Sequence, residues 1–303
     1  FFAKGSLPLN LAVSGVNNLI HGNGGIAGLL TLQDSATELA CSVQGPISHS
    51  PVLNGGKITL GGDFVLGPDA TIPGSGIINL TSCAMRCGAK DGVWTGSTIW
   101  QGSDGSIDMK AKISLVGAWT IEGQVTINGN DNTLDLGTQG QIVIAPGATL
   151  RCKNVRLNGV STDNIRCADD TATLLLEDVV WVQDGDFEFS TGCISIKDEV
   201  DFLGSYTFSY TSKKTSTIQQ KSEWHITDDM RFEIGKNPTS DAWPLSFVDH
   251  TSALHLDNCN YVITGSGMQV IKGTIMYSRD VAIEIQSTDT TNWLFFGKWS
   301  CKR

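Results

Sequence analysis

The sequence predicts an all-β chain folded as a single-stranded parallel β-helix, a solenoid of short strands with a repeat of about 20–25 residues and little or no helix. Three observations point there. A pattern returns as ATLRCKNVRLNG at 148–159, ATLLLEDVVWVQ at 172–183 and SALHLDNCNYVI at 252–263. Short strands of the form apolar, variable, apolar run along nearly all of the chain, and no segment sustains a 3.6-residue period. Glycine is abundant at 34 residues while proline is only 8, which suits many tight corners and not proline-rich linkers.

Within the repeat, Leu150, Leu174 and Leu254 are followed by Cys152, Leu176 and Leu256, then Val155, Val179 and Cys259, then Leu157, Trp181 and Tyr261. These columns are apolar in every copy. The columns between them hold Arg151, Leu175 and His255, then Arg156, Val180 and Asn260, which vary in polarity. Because side chains alternate across a strand, the constant columns face a core and the variable ones face outward. Between the two strands of each copy stands a corner, Lys153-Asn154, Glu177-Asp178 or Asp257-Asn258, whose second residue tolerates the left-handed backbone region.

The same three-residue signature marks strands in order at 58–60, 64–66, 119–121, 125–127, 134–136, 142–144, 187–189, 194–196, 200–202, 224–226 and 245–247. Longer echoes join KITLGGDFVL at 57–66 to AWTIEGQVTI at 118–127, and 187–202 to 268–283. A sandwich prefers strands of about five or six residues, and a propeller needs blades of about 40–45. One solenoid domain over 1–303 is therefore expected, with 1–25 as an N-terminal cap or assembly segment and 286–303 as an aromatic C-terminal one, since a coil stack needs its ends covered.

The segments GGKITLGGDFVLGPDATIPGSGIINL (55–80) and GQIVIAPGATLRCKNVRLNG (140–159) resemble the right-handed parallel β-helix superfamily, especially repetitive secreted or surface-displayed bacterial solenoids. The resemblance spans about residues 26–285 and is one of repeat style. It implies stacked coils but leaves function open, because such proteins include pectin-degrading enzymes, phage tailspikes, autotransporter passengers and purely structural or adhesive rods. A polygalacturonase-like member would also carry Gly-His-Gly and Arg-Ile-Lys segments. Neither is present, and His21 in LIHGNGG reads as part of a turn.

Charge narrows the field. At a formal net charge of −10, with no basic cluster, the chain is not expected to bind nucleic acid. No run of 18 apolar residues marks a transmembrane helix. Phe1-Phe2-Ala3 reads as the apolar end of a cleaved signal or as a fragment boundary, and with the cysteine pattern the expected location is extracellular or at the cell surface. Eight cysteines form an even set, and the close pair Cys83 and Cys87 in SCAMRCG is a candidate for a loop-stapling disulfide or simply two free thiols, in preference to half a zinc site.

No catalytic residue, metal site or cofactor is expected. The nearest acidic doublets are Asp169-Asp170, Asp228-Asp229 and Glu177-Asp178, of which the first and last have ordinary turn explanations, and His225 and His255 sit at variable positions as surface histidines. Nucleophile-elbow, phosphate-loop and calcium-loop patterns are missing. The aromatic residues of the termini, Phe1, Phe2, Trp293, Phe295, Phe296 and Trp299, suit a hydrophobic cap or contacts between copies. The expected function is an extracellular structural or adhesive solenoid that joins head to tail into a fibre or surface layer, because heterologous contacts that do not close make filaments. The alternatives are a polysaccharide-degrading lyase or glycosidase with Asp169 or Asp170 beside an acid and base on adjacent coils, and a glycan-binding spike in which Trp94 and Trp100 stack on sugars.

Overall fold

Short alternating segments separated by residues that bend the backbone can satisfy their N–H and C=O groups by pairing with the next turn of the same chain. The computed structural model describes residues 2–3, 10–68, 70–72, 74–88, 90–235, 244–264, 268–278, 280–286 and 294–301, of which 2–3, 268–270 and 294–297 are described as backbone alone. Among the described residues there is no helix, and every strand pairing is parallel between successive turns. The chain is a parallel β-solenoid, as its repeat predicts. Its packing forms two units, residues 1–155 and 156–303.

In the first unit, the strands Glu38–Val43, Lys57–Leu60, Gly76–Thr81, Thr98–Asp108, Ala118–Asp135 and Gln141–Ile144 lie one above another. Their register builds an unbroken inward column, Leu39, Ile58, Ile78, Trp100, Ile121 and Ile144. Each of these residues is buried. Three indoles, Trp94, Trp100 and Trp119, interlock in this core with ring centroids 5.4–5.7 Å apart, inside the separation range at which aromatic pairs attract beyond their buried area.

The second unit stacks Thr173–Gln183, Cys193–Leu203, Glu223–Ile226, Ala253–Leu256, Met268–Tyr277 and Leu294–Cys301. A second wall holds Phe187–Phe189, Thr207–Tyr210, Arg231–Gly235, Asn260–Thr264 and Ala282–Gln286. Between the walls runs a ladder of aromatic rings. Trp181 stacks on Phe202 at 4.9 Å, Phe202 meets Trp224 edge-on at 5.1 Å, and Trp224 meets Phe232 at 5.1 Å. The step from Trp224 to its partner Leu254 is longer than the others, yet the columns stay in register.

The corners behave as their residue types predict. Asn154, Asp178 and Asn258 all take positive φ, at 45°, 51° and 43°. The constant columns of the three copies are buried throughout, and Arg151, Leu175 and His255 lie in the half-exposed outward column.

Two expectations are corrected here. Trp94 and Trp100 are 1% and 0% exposed, so neither indole offers a face to a sugar ring. Trp94 ends the strand Gly92–Trp94 and Trp100 is the third residue of Thr98–Asp108, and at both places alternation directs the side chain into the core. Cys83 and Cys87 are not joined, and no disulfide forms among the eight cysteines. Cys83 faces the backbone corner, its Sγ 3.5 Å from Thr81 Oγ1, while Cys87 is buried in the core.

Candidate functional site

Alternation that sends Val200, Trp224 and Leu254 inward sends their strand neighbours outward. On the outer face of the second unit this aligns Asp201 with His225, His225 with His255, and His255 with Met276, on four successive strands. Glu199 and Glu223 pair in the adjacent outward column. Parallel strands stand about 4.8 Å apart, so side chains that are far apart in sequence become immediate neighbours.

The two imidazoles stack face to face, with centroids 4.3 Å apart and planes within 2° of parallel. Glu223 reaches both rings from the side. Its Oε2 lies 3.1 Å from His225 Nε2 and 3.3 Å from His255 Nε2. The other nitrogen of His225, Nδ1, faces Asp201 Oδ1 at 4.0 Å. His255 is the least exposed of the set at 15%, His225 stands at 28% and Glu223 at 49%. A small cavity of about 40 Å³ opens between His225, His255, Met276 and Tyr277.

The histidines that the sequence places singly on the surface are therefore brought together, each with a carboxylate. Three carboxylates, Glu199, Asp201 and Glu223, gather there, and among the described residues no Lys or Arg pairs with any of them. Several acidic groups elsewhere are engaged. Glu177, buried in its corner, is held by Lys197 Nζ at 3.0 Å from the next strand. Asp169 Oδ1 accepts from the backbone N–H of Thr171 at 2.8 Å and from its hydroxyl at 2.6 Å, and these bonds hold its carboxyl below the usual carboxylate range. Asp249 makes the same turn with Thr251. These bonds place Asp169 in a turn just ahead of the strand Thr173–Gln183.

A second feature lies at the strand Ala282–Gln286. Its residues Ile283 and Ile285 stand in register with Tyr261 and Ile263, which are fully buried, and before them Phe232 and Ile234. Yet Ile283 is 42% exposed and Ile285 50%. Among the described residues, Ala282–Gln286 pairs only with Asn260–Thr264, and Leu11–Val13 pairs only with Leu30–Leu32. Leu19 and Val16 beside the latter are 58% and 60% exposed.

Of the terminal aromatic residues, Phe1 and Trp293 lie outside the described residues, and Phe2, Phe295 and Phe296 are described only as backbone, within the strands Phe2–Ala3 and Leu294–Cys301. Trp299 is half-buried and meets Tyr277 with ring centroids 6.3 Å apart.

Burial also sets the reactivity of the cysteines. The thiols of Cys41, Cys87, Cys152, Cys167 and Cys259 are pushed up to about 12 by desolvation, which leaves almost no thiolate at neutral pH. Maleimide labelling of the folded protein should reach exposed Cys301 first and these five only after denaturant is added. Rapid native labelling of Cys152, read by peptide mass spectrometry, would contradict the packing of the inward column.

No protein-family model, no curated protein and no solved structure matches the chain.

Proposed function

We propose that the protein is an extracellular structural or adhesive β-solenoid whose copies join head to tail into a fibre or surface layer. The observation that carries this reading is the open strand Ala282–Gln286, where Ile283 and Ile285 continue two core columns with large parts of their surface uncovered. An exposed parallel edge presents unpaired N–H and C=O groups, and an exposed core column adds apolar area; together they fit another coil of the same kind. A second copy supplies such a coil at Leu11–Val13, which also has an open edge and exposed Leu19 and Val16 beside it. The contact is heterologous, so repetition gives a filament unless rotation closes it into a ring.

Light scattering and negative-stain microscopy of the purified chain test this directly. Concentration-dependent oligomers growing into rods are expected, and the double substitution Ile283→Lys, Ile285→Lys should hold the protein monomeric, since both side chains already face solvent and the variant should keep its fold. A wild-type protein that stays monomeric as concentration rises would overturn the reading.

A further inference from the structure

We infer that Glu223, His225 and His255 form a binding site for a divalent transition-metal ion of the zinc class, with Asp201 as a positioning residue for His225. The inference is independent of the assembly reading. Imidazole nitrogens and a carboxylate oxygen are the donor types such an ion takes, and three protein ligands with one open position make a familiar zinc arrangement. At metal–ligand bonds of about 2.0–2.1 Å, neighbouring ligand atoms of a tetrahedral centre stand roughly 3.3–3.4 Å apart. The Glu223 oxygen lies 3.1 and 3.3 Å from the two Nε2 atoms, which matches two such edges.

The third edge joins the two histidines, whose ligand atoms are within 4.8 Å. It closes when the rings turn out of their parallel stack so that both lone pairs aim at one point. The neighbouring cavity of about 40 Å³ leaves room for a water or other small ligand at the remaining position.

Electrostatics favours the same occupant. Glu199, Asp201 and Glu223 concentrate three negative charges on one patch of sheet, and the described residues supply no Lys or Arg to offset them. The corner cluster of Glu177, Asp178 and Asp198 differs on this point, because Lys197 already neutralises Glu177. Metal-ligating histidines commonly direct their second nitrogen to a carboxylate, which fixes the ring and raises its basicity. Asp201 stands on that side of His225, 4.0 Å from Nδ1.

Isothermal titration of the chelator-treated full chain with Zn²⁺, paired with the visible spectrum of the Co²⁺-loaded protein, tests the site. One ion per chain is expected, with a Co²⁺ spectrum of four-coordinate type. His225→Ala and His255→Ala should each weaken binding roughly 100-fold or more, and Asp201→Asn roughly 10-fold. His49→Ala, an exposed histidine of the other unit, should leave binding unchanged. Circular dichroism melts verify that each variant folds, and Glu223→Gln, at a half-exposed position, provides a second removal of a ligand. Absence of stoichiometric Zn²⁺ binding, or wild-type affinity in the His225→Ala and His255→Ala proteins, would overturn the site. Unchanged affinity in Asp201→Asn would remove the positioning role.

Discussion

Replacing Trp224 by Ala is expected to destabilise the second unit by about 3–5 kcal/mol, the range for deleting a large buried aromatic side chain. Trp224 is 1% exposed and touches three other rings of the ladder, Phe202, Phe208 and Phe232. A solenoid is held by nearest-neighbour contacts between coils, so a void at Trp224 is felt by the turns before and after it, and no distant core shares the loss. Trp224→Phe should cost much less. It keeps an aromatic body and deletes an indole N–H that is buried without an acceptor, a group that contributes nothing to offset its own desolvation. Urea unfolding of the three proteins, followed by far-ultraviolet circular dichroism, distinguishes them. Equal midpoints for wild type and Trp224→Ala would mean that the ring ladder does not support the fold. Trp224 lies on the strand of Glu223 and His225, so loss of its anchor should also loosen the outward cluster.

The same strand shows how much of the molecule could be read beforehand. Alternation is local information: Trp224-His225-Ile226 announces an inward, outward, inward triplet by itself, and the burial of Leu150, Leu174 and Leu254 follows from it. Positive φ at Asn154, Asp178 and Asn258 was equally legible, because it depends on the residue at the corner. The sugar-stacking role for Trp94 and Trp100 does not follow from this rule. Thr98-Ile99-Trp100 is one more alternating triplet, and applying it consistently turns Trp100 inward.

The histidine pair was harder. His225 and His255 each occupy the middle of a strand triplet, which is the one local signal they share. Their contact depends on register across a coil longer than its neighbours, and a repeat of uneven length does not determine which outward residues meet. The open strand Ala282–Gln286 was hidden for a similar reason. Ile283 and Ile285 have the same alternating pattern as buried columns elsewhere, so the pattern by itself does not tell that they stand uncovered.

Gly117→Ala is expected to destabilise the first unit by about 3 kcal/mol or more, through overpacking against main chain that has little freedom to move. A Cβ at Gly117 would lie 2.2 Å from the carbonyl oxygen of Gly96 and 2.8 Å from its carbon, and a Cβ at Gly96 would lie 1.8 Å from the oxygen of Gly74. These three glycines occupy successive coils at a place where one backbone rests directly on the next. Neither Gly96 nor Gly117 has the positive φ that usually explains a glycine at a corner. Gly137 is the opposite case, with φ at +49° and nothing within 4 Å of an added Cβ, so Gly137→Ala should cost only the left-handed strain of about 1–2 kcal/mol. If the two Ala variants lose equal stability in denaturant titration, backbone conformation and not coil spacing governs both sites. A clearly larger loss at Gly117 would show that part of the abundant glycine sets how closely one coil lies on another, which is the distance on which every inward column, and the pairing of His225 with His255, depends.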